Sequence, residues 1–205
     1  EYHNMDNLRF GPLRVMNDDL IRPHEGFGLH PHRDMEIVTY VLRGELTHAD
    51  SMGNKESLGR GAIQYLSAGT GITHSEMNDG DETVHLIQTW IIPHTKNVEP
   101  QYGSKSFTIE ERNNKWLHLV GPKGSDAHIN IYQDASMYAC ELDDRQKIEF
   151  DVESARQLYV KLMEGNADIN GTLFRSGDAA EVIDENILIR GIDQAHILIV
   201  EMAKE

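Results

Sequence analysis

The sequence predicts an all-β fold, on three observations. Short apolar, β-branched runs recur along its 205 residues, each closed by glycine or a turn pair, as strands are. Helical periodicity is scarce, and only residues 151–158 suit a helical turn. Both halves share one strand-and-glycine texture without an exact repeat, which points to two related barrels or sandwiches.

Taken in order, Leu13 and Val15 begin a short strand, and Asn17-Asp18-Asp19 is expected to end it in a turn. Residues 37–42 are nearly all apolar or β-branched and read as a buried strand, stopped by Gly44. Ser51-Met52-Gly53-Asn54 is a turn between polar segments. Gly59, Gly61, Gly69 and Gly71 then punctuate the chain at short intervals, as barrel bends do. Residues 84–92 form another strand, carrying Trp90 and halted by Pro93. Residues 94–115 turn polar, with Pro100, Gly103 and a charged run to Lys115. That shift sets the expected domain plan: a barrel over 1–100, a linker over 101–115 and a second barrel over 116–205. Alternation at Ile129/Ile131 and at Ile148/Phe150/Val152 resumes the strands. Residues 158–163 run toward Asn170-Gly171, a strong two-residue hairpin signal, and Gly177-Asp178 marks a further turn. Residues 187–189 and 197–200 are expected as buried strands.

Composition narrows the function classes. Apolar residues make up 39% and charged residues 26%, and the net charge is −15. So much negative charge repels nucleic-acid phosphates and anionic lipid. No run approaches the roughly 18 apolar residues that a membrane helix needs. Cys140 is the single cysteine, so there is neither an intrachain disulfide nor a thiolate zinc cage. No secretory leader is visible, and a reducing, cytoplasmic location is the expectation.

The chemistry concentrates between Gly26 and Asn78. His30 and His32 are spaced i, i+2, and so are His74 and Glu76. In a strand each pair points to one face, and a chain return would bring the pairs together. Imidazoles with a carboxylate suit a divalent transition metal that keeps open positions. Glu36 shares the strand parity of His30 and His32 and could face the same point, but five ligands would crowd out a substrate. Of the two, Glu76 is favoured as the ligand and Glu36 left as a bracing residue, a choice that the family resemblance below decides. His24, His48, His85 and His94 read as surface or core histidines, Trp90 and Trp116 as core or pocket walls, and Cys140 as inertly buried.

The segments FGPLRVMNDD, GFGLHPHRDMEIVTYVLRG, LTHADSMGN and AGTGITHSEMN resemble the pirin family of the cupin superfamily, strongly over residues 10–92 and in texture beyond 115. The resemblance implies a bicupin, two packed double-stranded β-barrels of jelly-roll type, with metal in the first alone. Residues 116–205 hold only His118, His128 and His196, without a His-x-His. It implies His30, His32, His74 and Glu76 as ligands of one divalent metal, Fe(II) foremost, with Mn, Ni, Cu, Zn and Co as alternatives. The general cupin pattern would use Glu36 instead of Glu76. The family also implies a further N-terminal segment ahead of Glu1, so the first barrel is expected to lack its first strand. The implied activity is that of short bacterial pirins: dioxygen opens the ring of a flavonol such as quercetin, releasing carbon monoxide, and Glu76 takes the proton of the 3-hydroxyl. The alternative is a non-enzymatic, iron-binding redox sensor that acts on a protein partner.

Overall fold

A computed structural model describes residues 8–204. The chain divides into two compact units, one reaching Phe107 and including Ile131–Gln133, the other made of Thr108–Asn130 and the chain from Asp134 onward. The expected strand ahead of Glu1 lies outside the described residues.

Among its described residues the first unit holds nine strands: β1 (Leu13–Ile21), β2 (Gly26–His32), β3 (Glu36–Arg43), β4 (Leu46–Asp50), β5 (Lys55–Leu58), β6 (Ala62–Ser67), β7 (Ile72–Met77), β8 (Val84–Ile91) and β9 (Gln101–Ser106). They form two antiparallel sheets, ordered β1-β8-β3-β6-β9 and β2-β7-β4-β5. First pairs with eighth, second with seventh, third with sixth and fourth with fifth, which is the nested pairing of a jelly roll.

The second unit opens with a short 3₁₀ turn at Ile109–Glu111. Its strands are β10 (Leu117–Pro122), β11 (Ile129–Ile131), β12 (Ala135–Leu142), β13 (Lys147–Phe150), β14 (Arg156–Glu164), β15 (Asn166–Ile169), β16 (Thr172–Arg175), β17 (Ala179–Ile183), β18 (Ile187–Gly191) and β19 (Ala195–Ala203). The nesting recurs: β12 with β19, β13 with β18, β14 with β17, β15 with β16. The expected all-β, two-barrel architecture is what the molecule has. Asn170 and Gly171 both adopt positive φ between β15 and β16, as a two-residue hairpin turn requires.

Three local expectations are corrected. Asn17-Asp18-Asp19 is strand, in unbroken register with β8 from Val15↔Trp90 to Ile21↔Val84. On an edge strand outward carboxylates stay solvated, and Asp18 pairs with His85 at 2.6 Å. Residues 101–106 are not linker but β9, laddered to β6 from Ala62↔Ser106 to Ser67↔Gln101. Its polar sequence hid a strand held by its backbone ladder and by Tyr102, its one large side chain packed on the core. Residues 151–158 form no helical turn: Ala155 sits at φ 65° and β14 begins at Arg156.

The core of the first barrel is layered. Inward residues of β3 read Ile37, Thr39, Val41; those of β6 read Ala62, Gln64, Leu66; those of β8 read Leu86, Gln88, Trp90. One apolar cluster comprises Ile21, Val41, Leu46, Leu58, Ala62, Val84 and Leu86. Another comprises Ile37, Leu66, Ala68 and Ile72, backed by Met35, Trp90 and Tyr102. Between them runs a polar layer, and the histidine pairs lie in it.

Candidate metal centre

Strands β2 and β7 are antiparallel neighbours with His30 opposite His74. Phe27 stands opposite Glu76, so β2 spends three residues where β7 spends two, and the ladder shifts there. Such a bulge re-aims the side chains beyond it. Gly26 allows the close approach: a Cβ there would lie 2.3 Å from the Glu76 carbonyl oxygen.

This register brings three imidazoles together. Ring centroids are 4.4 Å apart for His30 and His74, 4.9 Å for His30 and His32, and 5.0 Å for His32 and His74. One nitrogen from each lies within 4.8 Å of the others. Nitrogens each about 2.1 Å from one ion sit at most about 4.2 Å apart, so small side-chain rotations close the set around a metal. His30 Nδ1 bonds the Gly28 carbonyl at 2.7 Å. As the donor there, it leaves Nε2 as a lone pair for the ion. His74 is 1% exposed, and neither of its ring nitrogens has a hydrogen-bond partner. Buried polar atoms are seldom left so, because each lost bond costs about 1–3 kcal/mol. A metal would satisfy one of them, so the residues present fit such a group.

Electrostatics favour neutral, coordinating rings. Burial, and then the neighbouring His30, lower the pKa of His32 to about 4. Burial, then His30, His32 and His48, lower that of His74 to about 3. The His32 and Trp90 rings also make a T-shaped contact at 4.9 Å.

Glu76 shares the inward face of β7 with His74 and is 1% exposed. Its carboxylate accepts from Gln64 Nε2, from Gln88 Nε2 at 2.7 Å and from Thr39 Oγ1 at 3.2 Å. Burial pushes its pKa up, against the Gln88 and Thr39 bonds and the nearby His30. Its oxygens are turned to these donors and are not part of the three-histidine group. Glu36 is occupied elsewhere. Tyr65 Oη donates to it at 2.5 Å, Ser67 Oγ at 2.8 Å and the Tyr132 N–H at 3.3 Å. Next to inward-facing Ile37, it points away from the polar layer.

Sequence reading passed over His48, which is wholly buried and stacked on Tyr102 at 4.3 Å. It also missed Thr39, Gln64 and Gln88. Their signal was present: each is a polar residue inside a largely apolar strand, at the inward parity. His118 and His196 lie in the second unit, paired with Asp126 at 2.6 Å and Glu164 at 3.1 Å. Among the described residues, His30, His32 and His74 are the one trio at metal-binding separation. A groove of about 480 Å³, lined by Pro31, His32, Arg33, Ser51, Gly71, Ile72 and Thr73, opens beside His32. Its size lies within the range of small-molecule sites. No helix among the described residues is long and apolar enough to cross a membrane.

Comparison with known proteins places the chain in a family. Residues 2–91 match the Pirin family model, and residues 118–202 match the model of a quercetinase C-terminal cupin domain. Quercetin 2,3-dioxygenase of Escherichia coli K12 is 36% identical over 203 residues, 98% of this chain and 87% of that protein. A pirin-like protein of Caulobacter vibrioides is 36% identical over 204 residues, 98% of this chain and 88% of its own length. The crystal structure of the bacterial pirin YhhW from Escherichia coli in complex with nickel(II) superposes with a TM-score of 0.92 at 34% identity, covering 100% of this chain and 88% of that one.

Proposed function

Because the chain belongs to the pirin family, we propose that it is a metal-dependent dioxygenase that opens the central ring of a flavonol such as quercetin with O2. The carrying observation is the three-histidine cluster around buried His74, both of whose nitrogens are unpartnered. In this reading His30, His32 and His74 bind one divalent metal, and Glu76 completes the set. Fe(II) is the proposed native ion. The same donors would also take Mn, Ni, Cu, Zn or Co, and the YhhW structure holds nickel(II). A bound metal supplies Lewis acidity, which lowers the pKa of a substrate hydroxyl, and offers open positions.

The protein's own groups do the rest. Neutral rings at His32 and His74 keep their lone pairs at pH 7. Thr39, Gln64 and Gln88 hold the Glu76 carboxylate in place and favour its ionised form. From there Glu76 takes the proton of the flavonol 3-hydroxyl at one carboxylate oxygen, releasing one amide bond as it turns. Pro31 and Ile72 in the groove wall beside His32 offer a planar ring apolar surface.

The test is turnover of the Fe(II)-loaded protein under O2, followed by flavonol decay and carbon monoxide release. Glu76→Gln keeps the shape and loses the base, so turnover should fall about 100-fold or more, with metal retained at reduced affinity by the three histidines. Glu36→Gln, which loosens the Tyr65, Ser67 and Tyr132 contacts away from the histidines, should cost less. If Glu36→Gln loses metal and activity while Glu76→Gln keeps both, the ligand assignment is wrong.

A further inference from the structure

The inner face of the sheet β2-β7-β4-β5 carries more titratable groups than the metal reading uses. Asp50 of β4 stands opposite His74, and His48 stands between Glu76 on β7 and Glu56 on β5. His48 Nε2 bonds Asp50 Oδ2 at 3.2 Å, with both side chains out of solvent. Asp50 is itself fixed by the 51–54 turn. Its Oδ1 accepts the Met52 N–H at 2.9 Å and the Asn54 N–H at 3.0 Å, and its Oδ2 accepts Asn54 Nδ2 at 2.8 Å. Every one of these partners is a donor, so Asp50 is an acceptor, and His48 must give it the Nε2 proton. That leaves Nδ1 of a neutral His48 as a lone pair. This atom is buried and has no partner. The His48 and His74 centroids are 5.4 Å apart. The two rings make no hydrogen bond as they stand, but at that spacing a small rotation brings facing nitrogens to about 3 Å, within hydrogen-bond range.

We infer that His48 is a positioning residue for His74: Asp50 sets the His48 tautomer, and His48 Nδ1 accepts the N–H of whichever His74 nitrogen does not face the metal. This gives His74 the partner that metal-bound imidazoles normally have, as Gly28 does for His30. The inference rests on the proposal that His74 is a ligand. It assigns His48 no contact with substrate.

The test uses ¹⁵N-histidine NMR on the metal-free protein and zinc(II) affinity by chelator competition. Wild type should show His74 in one tautomer before metal is added. His48→Phe keeps the stack on Tyr102 but removes the acceptor. It should give mixed His74 tautomers and weaken zinc about 10- to 100-fold, and His48→Gln, whose amide oxygen can accept, should recover most of that loss. Asp50→Asn is the sharper variant. Its Oδ1 still serves the turn amides, while its Nδ2 donates toward His48, reversing that tautomer, and the Asn54 amide flips to offer it an oxygen in place of the Nδ2 that Asp50 now accepts. Zinc affinity should fall as for His48→Phe, with the fold and the melting temperature nearly kept. Unchanged affinity, within about 2-fold, and a single His74 tautomer in folded His48→Phe or folded Asp50→Asn overturn the relay. If wild type itself takes up no metal, the ligand reading fails, while the metal-free spectra still report on the His48–His74 link.

Discussion

The two barrels share one nested strand plan and differ in what fills the middle. In the first, β2 and β7 carry His30 opposite His74. In the second, the matching pair β13 and β18 sets Ile148 against Ile189 and Phe150 against Ile187. The first barrel breaks its apolar core into clusters above and below Thr39, Gln64 and Gln88. The second packs Leu158, Val160, Leu162, Ile169, Ile187, Ile189, Ile197 and Ile199 into one continuous cluster. Topology alone therefore assigns no chemistry. A polar layer in a barrel is stable only where its donors and acceptors meet. The first barrel satisfies Glu76 three times over and leaves His74 unsatisfied, which is how a ligand site differs from a repaired core.

The largest expected effect comes from removing that difference. His74→Ala in the first barrel should bring metal content to background and abolish flavonol turnover, because the two remaining imidazoles share only β2. Elemental analysis after dialysis checks this. Full occupancy in the variant would mean that His74 is not a ligand. The reciprocal change probes the other barrel. Ile189 is fully buried, and Ile189→Ala should cost about 2–5 kcal/mol of stability through the cavity it leaves. Metal content of the protein that remains folded should be unchanged. Urea unfolding with metal analysis reads both quantities, and metal loss in this variant would refute the separation of roles.

The sequence disclosed different things for different physical reasons. Buried strands such as β3 were legible because both faces are apolar, and the Asn170-Gly171 hairpin because its backbone demands those residues. The His-x-His and His-x-Glu pairs were legible because strand parity fixes where they point. Edge strands were not: β9 and the far half of β1 are held by ladder bonds that side-chain pattern does not encode. His48 was passed over because a lone histidine acquires meaning only from its neighbours. Asp50 shares its strand face at i, i+2, but Tyr102 and His74 become its neighbours only through the pairing of β4 with β7 and the fold of the barrel, which spacing along the chain does not reveal. The direction of Glu36 was ambiguous for a related reason, since parity carried from His32 fails once the chain turns into another sheet at β3.

The smallest effect is a difference in acid response, measured on metal-free protein. His32 and His74 have folded-state pKa values lowered to about 4 and about 3, against about 6.5 in an unfolded chain. Above pH 6.5 neither state holds a proton at these rings, and they add no pH dependence. Between 6.5 and about 4 the unfolded chain binds protons that the folded barrel refuses, so stability falls as pH falls. The slope cannot exceed about 1.4 kcal/mol per pH unit for each ring. The share of His32 is smaller because it is partly exposed and solvent screens it. His74→Leu gives the first barrel an aliphatic side chain, as the second barrel has at Ile189, and removes one titrating ring. Urea midpoints at pH 7.5, 6 and 5 should therefore converge for this variant relative to wild type, whatever the carboxylates contribute to both. Parallel acid losses in the two proteins would show that His74 takes up protons as easily folded as unfolded. Its burial would then not be what keeps the ring neutral.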